Sequence, residues 1–261
     1  MNLVALFPEA LKLLDSYDGE GVSVSHMADH VRRMLGRIPT LQTSEVVPPK
    51  VREMVQGRLG QELEVVVLLH NLDRTASAFE LFVLSMEERD ELVRKGSTPL
   101  LEDTDFTEEE RKEIMTAVLE HSKLDGTDDS LLLKLLRFLD RWDRFSMSGI
   151  LGMPMSYSYA GLYPKKGAFA ARSTREADIE SGGYCVSHVW RRVVEWIQMM
   201  PDEWMRELAR PEIEHALFTL RWFAEEIAAD PGTEDVGVEA MLREALGEHY
   251  AKFPPQKLVP V

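Results

Sequence analysis

Residues 130–146 read Ser130-Leu131-Leu132-Leu133-Lys134-Leu135-Leu136-Arg137-Phe138-Leu139-Asp140-Arg141-Trp142-Asp143-Arg144-Phe145-Ser146. Apolar side chains recur at helical spacing, and Asp128 or Asp129 stands where a helix N-cap belongs. The stretch predicts a long apolar helix. It also carries an anomaly. Asp140 sits among Leu135, Leu136, Phe138 and Leu139, and a carboxylate taken out of water needs a cation or a hydrogen-bond partner. Two partners are open: an arginine (Arg32, Arg33 or Arg141) or a metal ion.

The same period persists on both sides of this helix. Thr107 and Glu110 have the spacing of a capping box and open a helix carrying Ile114, Val118 and His121. The apolar run Val65 to Leu69 would suit a buried strand or a buried helix. Its helical neighbours decide for a helix over 62–72. Further helices are predicted at 8–17, 25–35 and 51–59, with a loop over 37–49 punctuated by Pro39, Pro48 and Pro49. Downstream, 149–183 reads as a long loop rich in Gly, Pro, Ser and Tyr, with Lys165, Lys166, Arg172 and Arg175. Helices at 184–200, 201–229 and 233–249 follow. No alternating strand series occurs, so the expected fold is all-α. The expectation is one helical domain over 1–261, with its core at about 20–150 and the helices of 184–249 packed on it.

Composition narrows the function classes. Of the 261 residues, 44% are hydrophobic, enough for a substantial core, and the formal net charge is −15. With no long basic run, nucleic-acid polymers are unfavourable partners. A single cysteine, Cys185, permits no internal disulfide and suits a reducing cytosol. Residues 1–14 contain Glu9 and no basic start, unlike a signal peptide. No apolar run approaches the ~18 residues of a membrane span. A cytoplasmic location is expected.

Four segments place His or Asp on separate predicted helices: Ser25-His26-Met27-Ala28-Asp29-His30, Leu69-His70-Asn71-Leu72-Asp73-Arg74, Leu119-Glu120-His121-Ser122, and Phe138 to Arg144. Imidazole and carboxylate ligands suit transition metals better than calcium, and a helical bundle can converge them on one ion. His30 within His30-Val31-Arg32-Arg33-Met34, His70 closing an apolar helix, and Leu139-Asp140-Arg141-Trp142-Asp143 together resemble the HD superfamily of metal-dependent phosphohydrolases. The segment His188-Val189-Trp190-Arg191-Arg192-Val193-Val194-Glu195 is similar to a C-terminal helix of a bacterial subgroup. The resemblance spans roughly 26–227.

That resemblance implies an HD-like helical bundle holding a divalent cation (Mn, Fe, Co, Ni, Mg or Zn) through His30, His70 and Asp140. It implies hydrolysis of a small phosphorylated substrate, a nucleotide being the leading choice. One position departs from the family: Asn71 stands where an Asp follows the second His. Its carbonyl oxygen is a neutral, weaker ligand. Asp73, three residues after His70, is a candidate base, and Arg74 suits bidentate phosphate contact. His26, His121, Lys165 and Lys166 are candidate substrate contacts. Asp143 and His188 are candidates for orienting the ligands.

Plainer readings stand beside these. His26 fits a solvated helix start, His121 a core histidine, and Lys165-Lys166 a solvated loop. Cys185 and His188 lack a third group to make a nucleophilic pair. Two other functions stay open: a degenerate HD domain that binds a ligand or partner without turnover, prompted by Asn71, and a diiron oxygenase, which needs more ligands than the sequence places.

Overall fold

The computed structural model of this chain describes Pro8 and residues 28–72, 85–123, 126, 128–146, 148–150, 186–200 and 202–229. The described residues are helical with no strand, so the fold is all-α. The chain forms two compact units, Met1–Asp143 and Arg144–Val261. The expected helix at 8–17 apart from Pro8, the expected helix at 233–249 and most of the expected loop lie outside the described residues.

In the first unit, α1 (Ala28–Thr43) places Val31, Met34, Ile38 and Leu41 on one buried stripe. The sequence predicted a loop from residue 37, yet the helix runs through Pro39 to Thr43. An interior proline costs ~3 kcal/mol, while burying an Ile or Leu side chain returns ~1.5–3 kcal/mol each. Ile38 and Leu41, both on the stripe beyond the predicted stop, offset the break.

Pro49 occupies the first turn of α2 (Pro49–Gln56), where its missing N–H costs nothing. The chain then turns at Gly57 into α3 (Arg58–Leu69). The predicted break near 59–62 therefore falls earlier. Gly60 explains the tightness of this corner: a Cβ there would lie 2.0 Å from the Val55 carbonyl oxygen. Val65 to Leu69 are all fully buried, as befits a helix apolar on every side and packed centrally. Helix α3 packs against α1, α2 and the later helix Glu108–Glu120.

A helix absent from the sequence reading, α4 (Met86–Glu102), starts at a full capping box between Ser85 and Glu88. Its signal, Ser85-Met86-Glu87-Glu88, is legible in the sequence. Pro99 and Gly96 within the helix mask it. The Thr107–Glu110 capping box opens α5 (Glu108–Glu120) as expected. Arg58 reaches across from α3 to Glu110 at 2.8 Å and lies over the Phe106 ring.

The long apolar helix expected at 130–146 is α6 (Leu131–Arg144). Its capping oxygen is the Ser130 hydroxyl, which accepts the Leu133 N–H, and neither Asp128 nor Asp129 takes that place. Asp129 instead accepts from the Gly126 N–H at 2.8 Å and pairs with Arg137.

The second unit contains α7 (Val186–Gln198), α8 (Glu203–Leu208) and α9 (Arg210–Ala229). The single helix expected at 201–229 is broken at Ala209. Both α7 and α8 pack on α9. Val193, Ile197 and Met200 are buried, and Trp196 meets Phe145 edge-on. Among the described residues, no helix is long and apolar enough to cross a membrane.

Candidate metal centre

Three segments of the first unit deliver the site. His30 lies in the first turns of α1, His70 closes α3, and Asp140 lies one turn from the end of α6. One potential ligand atom from each lies within 4.8 Å of the others. Ligand atoms ~2.1 Å from a common ion stand at most about 4.2 Å apart, so a small side-chain adjustment lets all three share one cation. His30 and His70 are buried, and Asp140 is 16% exposed, which leaves a solvent-facing side.

Each imidazole is fixed through Nδ1. His70 Nδ1 donates to the Val67 carbonyl at 2.7 Å, and His121 Nδ1 donates to the Val118 carbonyl at 2.6 Å. A carbonyl only accepts, so Nδ1 carries the proton in both rings. The Nε2 edge of each is then left for other partners. His30 Nδ1 donates to Asp143 Oδ2 at 2.7 Å, and its Nε2 stands 3.1 Å from Asp140 Oδ1. A carboxylate behind a histidine fixes the ring and raises its basicity as a ligand.

Asp143 is itself gripped. Arg33 donates to it through Nε at 2.9 Å and Nη2 at 2.8 Å, and Arg37 Nη2 lies 3.9 Å away. Of the three arginines considered for Asp140, Arg33 goes to Asp143, and Arg32 bonds the exposed Asp29. Arg33 was weighed in the sequence as a partner of Asp140, not of Asp143, and Arg37 was not singled out. Their signal is spacing: they follow His30 by three and seven residues on one helical face.

The charges follow from this geometry. Burial alone would lower the His30 pKa, but hydrogen bonds and Coulomb attraction from Asp140 and Asp143 raise it above its ordinary value. Burial pushes His70 well below its ordinary value, with His121 and His30 adding to the effect. His70 is therefore a neutral imidazole at physiological pH. Burial would raise the Asp143 carboxyl, but His30 and Arg33 together hold it below the usual carboxylate range. The C-terminal ends of α3 and α5 meet here through His70 and His121, whose rings lie 5.2 Å apart. Helix C-termini carry partial negative charge and favour a cation.

Asn71 is buried, and its Nδ2 donates to His70 Nε2 at 2.8 Å. The amide thus faces the lone pair that an ion would use. His121 is half-buried beside His70. Among the other sequence candidates, His26, Asp73, Arg74, Lys165 and Lys166 lie outside the described residues. The backbone of His188 lies in α7, in the second unit. Asp129, Glu120 and His121 are joined by Arg137, a residue the sequence reading left aside.

The donor set, two imidazoles and a carboxylate backed by a further carboxylate, fits a divalent transition-metal ion. No protein-family model, no curated protein and no solved structure matches this chain.

Proposed function

We propose that this chain is a metal-dependent phosphohydrolase of the HD type acting on a small phosphorylated substrate, with a nucleotide first among the candidates. The observation that carries this reading is the gathering of His30, His70 and Asp140, distant in sequence, within ligand reach of one point. These three would hold a divalent cation (Mn, Fe, Co, Ni, Mg or Zn), and Asn71 would add its carbonyl oxygen after turning its amide. Such an ion, when bound, polarises a phosphoryl oxygen and acidifies water.

The chain's own groups set the stage for that chemistry. Asp143 holds the His30 ring through Nδ1, and the Val67 carbonyl holds His70. Leu69 and Leu139, next in sequence to His70 and Asp140, are fully buried. His121, half-buried beside His70, would meet the substrate through its Nε2 edge, a hydrogen-bond acceptor in this tautomer. Arg74, Lys165, Lys166 and His26 stand as phosphate contacts and Asp73 as the proton acceptor on sequence grounds. The cytoplasm is the location this reading favours.

The test is direct. Purified protein supplied with Mn or Co should release phosphate or pyrophosphate from at least one member of a panel of nucleotides and phosphate esters. Folded, metal-loaded protein that turns over none of them contradicts the proposal.

A second reading, a degenerate HD domain that binds without turnover, draws on the Asn71 amide facing His70 Nε2. Metal content after purification without chelator, compared between the native chain and Asn71→Asp, separates the two. Metal and activity gained only in the variant favour the degenerate reading. Full activity in the native chain removes it.

A further inference from the structure

We propose that Arg137 is a positioning residue of this centre, which sets the His121 ring against His70 by holding the end of α5; this rests on the metal-site reading above. The Arg137 side chain is 3% exposed. Nε donates to the His121 carbonyl at 3.2 Å, Nη2 donates to the Glu120 carbonyl at 2.6 Å, and Nη1 pairs with Asp129. The last carbonyls of a helix have no partner within it, and a cation there meets both the open acceptors and the negative helix end.

The placement of Arg137 connects this cap to the site. It precedes Asp140 by three residues on α6, so the two lie on neighbouring turns of one face. One planar fork thus ties the last turn of α5 to the helix that carries a ligand. His121 is the first residue past that turn, and its Nδ1 bonds the Val118 carbonyl of the same turn. Loosening the turn therefore frees the ring. A lysine, with a compact ammonium, cannot span two carbonyls and a carboxylate in the geometry of a guanidinium.

Long-range nitrogen–proton NMR of the imidazoles in the metal-free full chain at pH 8 tests this. The native chain should show His70 and His121 each as a single Nδ1–H tautomer. In Arg137→Lys, His121 should average between tautomers while His30, held by Asp143, is unchanged. The double variant Asp129→Asn with Arg137→Met removes both charges together, sparing a buried unpaired carboxylate, and should show the same change. A native His121 signature in both folded variants overturns the proposal. Cobalt titration adds a second readout, with affinity expected to fall about tenfold in Arg137→Lys. A native chain that takes up no cobalt overturns the metal reading alone, because the tautomer measurement still decides the role of Arg137.

Discussion

At the level of single residues, the choice between aspartate and asparagine at position 71 decides what faces His70 Nε2. Here the Asn71 amide donates into the neutral His70 ring at Nε2, the edge a metal ion would use. Asn71→Asp supplies an anionic ligand in place of a donor that competes with the ion. Metal affinity measured by calorimetry should rise by ~10–100-fold. Unchanged affinity would place residue 71 outside the ion's reach. His30 gives a second prediction, of pH dependence. Its pKa is raised in the folded chain by Asp140 and Asp143, so its contribution to stability is full below the ordinary pKa of 6.5 and is lost as pH rises through the folded value. The depressed Asp143 pKa reflects the same contact and is not counted again. In chelator, the urea midpoint should fall with rising pH above 6.5 in the native chain and stay flatter in His30→Gln. Asp140 was legible in the sequence because an acid in an apolar helix demands a partner, whereas His30 and His70 were singled out through the resemblance to the HD motif. The true partner of Arg33 and the role of Arg137 were not legible, since an arginine on a helix reads equally well as solvated until the carboxylate or carbonyl it serves is located.

Among the helices, legibility tracked how local the deciding physics is. The Thr107–Glu110 capping box is complete within four residues, and it fixed the start of α5. The Ser85–Glu88 box is as explicit, but Gly96 and Pro99 downstream concealed the helix it opens. The passage of α1 through Pro39 was hidden because it depends on where Ile38 and Leu41 are buried, which is settled by distant chain. The α2–α3 corner gives a prediction at this scale. Gly60→Ala forces a methyl into the Val55 carbonyl, and overpacking of this kind costs ~1–3 kcal/mol. A denaturation midpoint equal to that of the native chain would refute the close approach. Glu110 gives another. Its hydrogen bonds with Arg58 and the Thr107 backbone lower its pKa from 4.5 to about 2. The stability it supplies is present above pH 4.5 and is lost as pH falls toward 2. Glu110→Gln should melt lower than the native chain at neutral pH, with the gap closing through that acid range. A gap constant with pH would remove the ionic part of this contact.

For the molecule as a whole, the question is how a small cation could act on a chain of net charge −15. That charge repels nucleic-acid backbones and draws divalent ions, but a diffuse field stabilises no particular helix. A specific site does, because an ion bound only by the folded state adds stability by mass action, ~2.7 kcal/mol at a free concentration one hundred times its dissociation constant. The ligands come from the start of α1, the end of α3 and the last turns of α6, so the gain should concentrate there. Amide hydrogen exchange with and without Mn or Co should slow at those three places and change little in α4, which carries none of the three. Chelator should restore the original rates. Slowing spread evenly over the acidic surface, α4 included, would mean that the ions answer to net charge alone and that His30, His70 and Asp140 do not act together.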